Sequence, residues 1–331
     1  MALAIRTQAR SLSPEKQALR EEALRGFAAS PKAMSPKFFY DHRGSQLFEL
    51  ICQQPEYYPT RTEETILRLS AGAIAELAGR NASLVELGSG ASRKIRLLLE
   101  ALRPARYLGI DISREFLDIC TRRLAADYRW LDVHALCADF SQPLKLPAEA
   151  LGQRPLAFFP GSSIGNFDPD EARAFLRNLH QALPAGSGLL IGVDLVKDRQ
   201  VLERAYNDAA GVTALFNLNL LERIRTELDS DIDPRRFEHR AFYNEQASRI
   251  EMHLVSRQAQ QVRIEDQVFD FAAGETLHTE NSYKYTPGAF VGLAGECGFA
   301  SVAMWRDPAQ LFSVHFCLLY TSPSPRDVEE S

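Results

Sequence analysis

The strongest constraint on the fold is an alternation of short apolar runs with amphipathic stretches that begins at Ser83. The apolar runs are SLVEL, RYLGIDI, VHALCADF, LAFFPGSSIGN and LLIGVDLV, and helix-like segments such as SRKIRLLLEAL and PDEARAFLRNLHQAL lie between them. Parallel strands joined by helices produce this pattern, because the helices cover both faces of the sheet. The sequence therefore predicts an α/β protein with a mostly parallel sheet.

The pattern changes after Lys197. Residues 195–285 read as helices followed by strand-like pieces, which predicts an inserted α+β region. A helix over TPGAFVGLAGECGF and two strands, SVAMWR and LFSVHFCLLY, then predict a closing antiparallel hairpin. We expect a sheet domain from residues 61–194 and 286–320. Residues 1–60 and 195–285 would form a second domain, with a ligand in the cleft between the two.

Both ends of the chain carry local signals. The first 60 residues are predicted to be mainly helical, and TRTE at Thr60–Glu63 fits a capping box that starts the next helix. The final stretch TSPSPRDVEES, residues 321–331, is rich in serine, proline and charge, which is typical of a disordered or artefactual tail.

Composition argues against several classes of partner. The net charge of -5 and the pI of about 5.9 disfavour a nucleic-acid partner. The sequence has no apolar run of about 20 residues, so a membrane partner is not expected. Five cysteines without a CxxC pair are typical of reduced thiols in a cytoplasmic protein. Scattered histidines without an HExxH motif predict no metal site.

A glycine-rich turn and two acids stand at successive strand ends. The stretch ELGSG, residues 86–90, closes the first strand, and its glycines let the backbone approach a ligand closely. Asp111 ends the second strand, where a carboxylate can bind ribose hydroxyls. Asp139 and Phe140 end the third strand and suit the amine and the face of a purine. Arg93 occupies the place of the third glycine of a dinucleotide fingerprint, which disfavours an NAD site.

Together these features resemble the S-adenosylmethionine site of class I methyltransferases. Lys94 could reach back over the turn at Gly88 to the methionyl carboxylate. The alternatives are an ordinary tight turn and a solvated helix lysine.

The fourth strand and the inserted region carry candidate substrate residues. After FFPGSSIGN, the amide of Asn166 can pair with an amine and a carboxylate at once, although it could equally cap a turn or helix. Tyr206 lies in LERAYND, and Glu280 and Ser282 lie in GETLHTENSYKY. A glutamate among hydroxyl and aromatic groups could recognise a ring N–H, while a surface glutamate beside core aromatics is the simpler reading.

Longer stretches resemble one family. YDHRGSQLFELICQQPEYYPTR, ELGSGASRKIRLLLEAL, FFPGSSIGNF, GVDLVKD, FNLNLLERI, RIEMHLVS and GETLHTENSYKYT are similar to the histidine Nα-methyltransferases of ergothioneine biosynthesis, in order, from Phe38 to Phe316. The resemblance implies transfer of three methyl groups from S-adenosylmethionine to the α-amine of L-histidine, which gives hercynine. It also implies a monomeric enzyme with a methyltransferase domain and a substrate-binding domain.

The resemblance also implies roles for individual residues. The cofactor contacts would be Gly88, Lys94, Asp111, Asp139 and Phe140. The histidine contacts would be Tyr57, Gly161, Ser163, Asn166, Tyr206, Met252, Glu280 and Ser282. Tyr40 and Phe48 would lie near the methylated amine, with Asn166 as a catalytic group that, together with Tyr206, holds the amino acid carboxylate. Tyr57, Glu280 and Ser282 would hold the imidazole.

Two alternatives stay open at this point. Fungal relatives of the family methylate a prenylated tryptophan, so this chain could act on another aromatic amino acid. Met252 and Glu280 favour histidine, because an indole would clash with the first and pair badly with the second. The chain could also be a non-catalytic module that binds S-adenosylmethionine.

Overall fold

A computed structural model describes residues 13–79, 82–90, 93–152 and 154–320. The tail predicted at 321–331 lies outside these described residues. The strands are β1 Lys32–Ala33, β2 Ser83–Leu87, β3 Arg106–Asp111, β4 Asp132–Cys137, β5 Pro155–Phe159, β6 Gly188–Asp194, β7 Phe237–Asn244, β8 Arg249–Ser256, β9 Gln260–Ile264, β10 Gln267–Phe271, β11 Thr276–Tyr283, β12 Phe299–Arg306 and β13 Phe312–Leu319.

The α-helices alternate with these strands in the first half of the chain. They are α1 Pro14–Ala28, α2 His42–Ile51, α3 Tyr58–Ala78, α4 Arg93–Leu102, α5 Arg114–Asp127, α6 Ala148–Leu151, α7 Pro169–Ala182, α8 Arg199–Ala205, α9 Val212–Glu227 and α10 Pro287–Glu296. Short 3-10 helices span Pro36–Phe39, Ser163–Asn166 and Pro234–Arg236.

The largest sheet has seven strands in the order β12-β13-β6-β5-β2-β3-β4. Strands β2 to β6 pair in parallel, whereas β13 runs antiparallel to β6 and β12 runs antiparallel to β13. The predicted parallel sheet with a closing hairpin is therefore confirmed. The chain leaves β2 towards β3 on one side and later returns to β5 on the other. A crevice opens at the carboxyl ends of strands where the order reverses in this way.

The inserted region contributes a second sheet in the order β1-β11-β8-β7 and a separate β9–β10 hairpin. Strand β1 comes from the N-terminal segment and pairs in parallel with β11. This strand was not predicted, since two residues between prolines are too short to show a periodic pattern. The pairing places the N-terminal segment beside the strand that carries Glu280.

Apolar side chains form three clusters. Two of them cover the faces of the large sheet, and successive residues of β2 alternate between them, with Leu84 in one and Val85 in the other. The third cluster joins residues 19–58 to residues 202–277. This grouping accords with the expected division into two domains, which we retain as a proposal.

The capping box predicted at Thr60–Glu63 is wrong. Helix α3 already begins at Tyr58, with Pro59 in its first turn. A proline is well tolerated there, because the first N–H groups of a helix have no partner within it. Glu63 therefore lies inside the helix, where it is fully buried against the sheet.

Two further features bear on the predicted environment of the protein. Among the described residues, no helix combines the length and apolar character needed to span a membrane. All five cysteines carry free thiols.

Candidate active site

A cavity of about 700 Å³ lies at the carboxyl edge of the large sheet. Its walls include all the predicted cofactor residues, Gly88, Lys94, Asp111, Asp139 and Phe140, together with residues of the inserted region. A second cavity of about 50 Å³ shares part of this wall. The larger volume is in the range of sites that enclose small molecules.

The glycine turn is held open by backbone geometry and by Asp111. Gly88 and Gly90 have φ of +70° and +46°, a region that favours glycine. A Cβ at Gly88 would lie 3.6 Å from the ring of Phe140. Asp111 accepts from the N–H of Gly90 at 3.1 Å and from the N–H of Ser113 at 2.9 Å. The carboxylate therefore fixes the turn while it faces the cavity.

Glu86, just before the turn, is buried and also borders the cavity. The hydroxyl of Tyr107 donates to its carboxyl group at 2.6 Å. Burial raises the pKa of Glu86 to about 8, although the hydrogen bond from Tyr107 opposes the shift. The penultimate residue of strand β2 thus carries a carboxyl group that is mostly protonated at neutral pH.

Asp139 is engaged from across the cleft. The ammonium of Lys37, in the 3-10 helix Pro36–Phe39, lies 2.9 Å from its carboxylate. Ser141 donates its N–H and hydroxyl to the same group. Burial raises the pKa of Asp139, but the hydrogen bonds from Ser141 and Lys37 outweigh it and hold the pKa below its ordinary value. Phe140 packs edge-on against Phe159 with ring centroids 5.5 Å apart.

Lys94 has a partner that sequence reasoning did not identify. Its ammonium lies 2.5 Å from the carboxylate of Glu63, which also accepts from the N–H of Gly161 at 2.9 Å. A Cβ at Gly192 would lie 2.0 Å from this carboxylate, so the glycine provides the space for Glu63. Glu63 thereby connects Lys94 of helix α4 with the loop after β5. The predicted contact of Lys94 with a methionyl carboxylate stays a prediction.

The segment YDHRG, residues 40–44, forms the turn between Tyr40 and helix α2, which carries Phe48. Asp41 caps the helix by accepting from the N–H of Gly44 at 2.6 Å, and it also accepts from the amide of Asn219 at 2.9 Å. A Cβ at Gly44 would lie 1.7 Å from the carbonyl oxygen of Phe39. Only glycine permits this close turn, which directs the start of α2 towards the cavity.

Aromatic rings surround the smaller cavity. Phe48 lies 5.7 Å from Tyr40 and 6.3 Å from Tyr57, and Tyr57 lies 6.2 Å from Tyr206, between ring centroids. Phe216 of α9, 6.1 Å from Phe48, completes the group and was not predicted. In a helical sequence pattern, an aromatic residue that lines a cavity cannot be distinguished from one that packs in the core. Burial raises the pKa of Tyr40 and Tyr57 well above the ordinary value, so both phenols stay neutral.

The loop after β5 borders both cavities through Gly161, Ser163 and Asn166. Ser163 donates its hydroxyl to the carbonyl of Pro160 at 2.9 Å, which leaves its lone pairs for a ligand. Among the described residues, no hydrogen bond engages the amide of Asn166. Its donor and acceptor are therefore available to a ligand at the junction of the two cavities.

Gly165 lets this loop pack against β11, because a Cβ there would lie 2.7 Å from the carbonyl oxygen of Tyr283. We expect Gly165→Ala to lower the free energy of unfolding by about 1–3 kcal/mol and to weaken binding of the histidine that the resemblance implies, since overpacking displaces the neighbouring Asn166. Urea denaturation and calorimetry measure the two effects. Gly288→Ala, at a position with no atom within 4 Å of the new Cβ, is the control. Equal stability of the two variants would contradict the prediction.

Glu280 is only 9% exposed and borders both cavities. Within the described part of the chain, its carboxylate has neither a hydrogen bond nor an ion pair. Burial raises the pKa of Glu280 to about 7, and the positive charge of Lys284 opposes this shift. A buried carboxylate without a partner is costly, which favours a ligand that donates a proton to it.

The pKa of Glu280 predicts a pH-dependent stability for the ligand-free protein. Between pH 4.5, the ordinary pKa, and about 7, the unfolded carboxyl group ionises while the buried one stays protonated. The free energy of unfolding therefore falls by about 3 kcal/mol as pH rises through this window. We expect Glu280→Gln to be more stable than the parent protein at pH 8 and equally stable near pH 4. Thermal unfolding across this range tests it, and a difference independent of pH would contradict it.

The smaller cavity brings the predicted substrate residues together. Its walls include Tyr40, Phe48, Tyr57, Gly161, Ser163, Asn166, Tyr206, Met252, Glu280 and Ser282. Met252 of β8 is the direct cross-strand neighbour of Glu280 in β11. The residues come from six separate segments, yet they meet around one space.

A Glu-His-His group lies on the opposite face of β8. Atoms of Glu251, His253 and His278 that could bind a metal are all within 4.8 Å of one another. The two imidazole rings, however, stack 4.5 Å apart at 14° to each other, and Arg249 and Asn244 already donate to Glu251. Lone pairs of stacked rings lie in parallel planes, so this arrangement does not offer a metal two converging nitrogens.

A parallel sheet of this strand order, with a glycine turn and acids at the ends of successive strands, defines a class I S-adenosylmethionine-dependent methyltransferase. The chain matches the family described as "Histidine-specific methyltransferase, SAM-dependent" over residues 19–319. It belongs to that family.

Named relatives agree with this assignment. The chain is 45% identical to the histidine N-alpha-methyltransferase of Mycolicibacterium smegmatis over 90% of this chain and 94% of that protein. It is 37% identical to ergothioneine biosynthesis protein 1 of Neurospora crassa over 57% of this chain and 22% of that protein. It is 28% identical to a 4-dimethylallyltryptophan N-methyltransferase of Claviceps purpurea over 66% of this chain and 68% of that protein.

Proposed function

We propose that this protein transfers three methyl groups from S-adenosylmethionine to the α-amine of L-histidine, giving hercynine in the first step of ergothioneine biosynthesis. The observation that carries the proposal is the buried carboxylate of Glu280, which has no partner among the described residues and lies in the cavity that the glycine turn at Gly88 also borders. A methyl donor and an imidazole can thus occupy one enclosed space.

The cofactor side fits S-adenosylmethionine, which supplies an electrophilic methyl group on a sulfonium. Gly88 lets the backbone approach closely, Asp111 can accept from ribose hydroxyls, and Asp139 and Phe140 suit an adenine. Lys37 would have to share Asp139 with the adenine amine, since it already holds that carboxylate.

The substrate side would hold histidine at both ends. Asn166 suits the carboxylate of the amino acid, while Glu280 suits a ring N–H. Gripping the two ends fixes the amine between them, beside the aromatic group of Tyr40 and Phe48. Holding the reacting atoms in line supplies much of the rate enhancement in a displacement of this kind.

The amine must be neutral to attack. The buried phenols of Tyr40 and Tyr57 stay protonated, so neither supplies a strong base. Desolvation in the cavity disfavours the ammonium form, and the proton can leave through water or the tyrosine hydroxyls. Each methyl group removes a donor and adds volume. Aromatic faces accommodate this change and also attract the final quaternary ammonium.

Three finer statements belong to the same proposal. We expect the protein to act as a monomer and to work in the cytoplasm. We expect a small-molecule substrate and no nucleic-acid or membrane partner. The five free thiols support the cytoplasmic location. The acidic composition supports the absence of a nucleic-acid partner.

The alternative substrate is an aromatic amino acid such as tryptophan. A relative that is 28% identical is named as a 4-dimethylallyltryptophan N-methyltransferase, which supports this alternative. The buried carboxylate of Glu280 and the side chain of Met252 favour histidine, because an indole would leave the carboxylate poorly paired in a small cavity.

Mass spectrometry of amino acids incubated with the protein and S-adenosylmethionine tests the proposal. Histidine should gain three methyl groups, with release of S-adenosylhomocysteine. Tryptophan and a reaction without amino acid are the controls. Methylation of tryptophan but not histidine would favour the alternative, and no turnover with any amino acid would favour a non-catalytic binding module.

A further inference from the structure

Strand β11 and the residue that follows it, Lys284, carry an acid, a hydroxyl and a cation on one side. Glu280, Ser282 and Lys284 are spaced two residues apart, which places their side chains on the same side of a strand. Lys284 is 4% exposed and does not line either cavity. It is a buried cation directly behind the residues that do.

The ammonium of Lys284 is fully engaged. It lies 2.9 Å from the carboxylate of Asp194, and it donates to the hydroxyls of Ser282 at 2.7 Å and Tyr206 at 3.1 Å. Three acceptors match the three protons of an ammonium group. Asp194, 1% exposed, is also paired with Lys197 at 2.5 Å.

The hydrogen bonds from Lys284 determine how the hydroxyl protons of Tyr206 and Ser282 are used. A lysine ammonium can only donate, so Tyr206 and Ser282 each accept one hydrogen bond from Lys284. The two hydroxyls, 2.7 Å apart, share one further hydrogen bond, which uses one of their two protons. Among the described residues, no other acceptor takes the second proton. Whichever hydroxyl keeps that proton, it borders the smaller cavity.

We propose that Lys284 is a positioning residue that makes the Tyr206–Ser282 pair donate one hydrogen bond to an unprotonated ring nitrogen of the bound substrate. This inference rests on the proposed function. Glu280 then accepts from the other ring nitrogen, so the site selects a neutral imidazole that carries one N–H and one lone pair. Neighbouring residues on one face of a strand are about 7 Å apart, which suits a five-membered ring with a hydrogen bond at each side.

The charges around Lys284 also support a neutral imidazole bound between Glu280 and the Tyr206–Ser282 pair. Lys284 and Lys197 together carry one positive charge more than Asp194 neutralises, and Glu280 is a buried carboxylate without an ion pair among the described residues. The positive charge of Lys284 opposes the rise in the pKa of Glu280 and so favours the ionised carboxylate that accepts from a ring N–H.

The test compares two lysines on one carboxylate. Lys284→Met removes the contacts with both hydroxyls, whereas Lys197→Met removes an ion pair from the same Asp194 and leaves those contacts intact. We expect Lys284→Met to raise KM for histidine about 10- to 100-fold, with a smaller change in kcat. Lys197→Met should raise it less than about threefold. Calorimetry with S-adenosylhomocysteine reports whether each variant keeps its fold and cofactor site.

A double-mutant cycle with Ser282→Ala separates positioning from general destabilisation. If Lys284 acts through Ser282, the double variant should be no more than about threefold worse in KM than the worse single variant. In the cycle of Lys197→Met with Ser282→Ala, the KM increases of the two single variants should instead multiply in the double variant. Should Lys284→Met fail to bind S-adenosylhomocysteine, Lys284→Gln takes its place in both comparisons.

Two results would overturn the inference if the wild-type protein methylates histidine. One is an equal rise in KM in the two lysine variants. The other is a double variant of Lys284 and Ser282 whose rise in KM is the product of the two single rises. Failure of the wild-type protein to methylate histidine would instead refute the proposed function, and this inference with it.

Discussion

Replacing Asn166 with alanine should lower kcat/KM for histidine about a thousandfold. The amide lies where the two cavities meet, and within the described residues it has no protein partner. In the proposed complex its N–H donates to the substrate carboxylate and its oxygen accepts from the amine. Each is a hydrogen bond to a charged or polarised group, worth about 1.5–3 kcal/mol, and the two together account for the expected loss.

Asn166→Asp sharpens this test. The aspartate has the same size but no N–H, and its negative charge repels the substrate carboxylate. We therefore expect it to be at least as impaired as the alanine variant. Steady-state kinetics measure the loss, and binding of S-adenosylhomocysteine should change little in either variant. Histidine affinity unchanged by calorimetry would contradict the role of Asn166.

Glu280→Ala should weaken histidine binding about 10- to 150-fold and remove the preference for histidine over tryptophan. The carboxylate is buried and has no partner in the part of the chain that the structure describes, and a charge-assisted contact with a ring N–H is worth about 1.5–3 kcal/mol. The smaller side chain also enlarges the cavity beside Met252, and this makes room for the larger indole ring of tryptophan. A competition assay with both amino acids measures the preference.

Glu280→Gln is the matched control for this change. It keeps the volume and an acceptor oxygen but loses the charge, so its affinity for histidine should fall between those of the parent and alanine proteins. Tryptophan should remain excluded from this variant. A histidine preference retained by the alanine variant would show that Glu280 does not determine the substrate.

The cofactor side was predictable because its signal is local. Gly88 and Gly90 follow a buried strand, and Asp111 and Asp139 stand at or just beyond the ends of the next two. Carboxyl ends of parallel strands meet at one edge of the sheet, so the positions along the chain already imply a common site. Asp111 indeed contacts the N–H of Gly90.

The substrate side was less predictable from the pattern of residues. Tyr57 and Met252 look like core residues in the sequence, and only the resemblance to a family marked them. Phe216 was missed for the same reason. Lys284 was missed although the alternation of Glu280, Ser282 and Lys284 is visible within the strand-like stretch TENSYKY.

The sequence by itself determined the parallel sheet, its closing hairpin, the glycine turn and the acids at the strand ends, because strand period and turn chemistry act over a few residues. Only the tertiary structure decided which partner each lysine meets: Lys94 meets Glu63, 31 residues away, Lys37 meets Asp139, 102 away, and Lys284 meets Tyr206, 78 away. A buried charge needs a partner, but which partner depends on the surfaces that packing brings together.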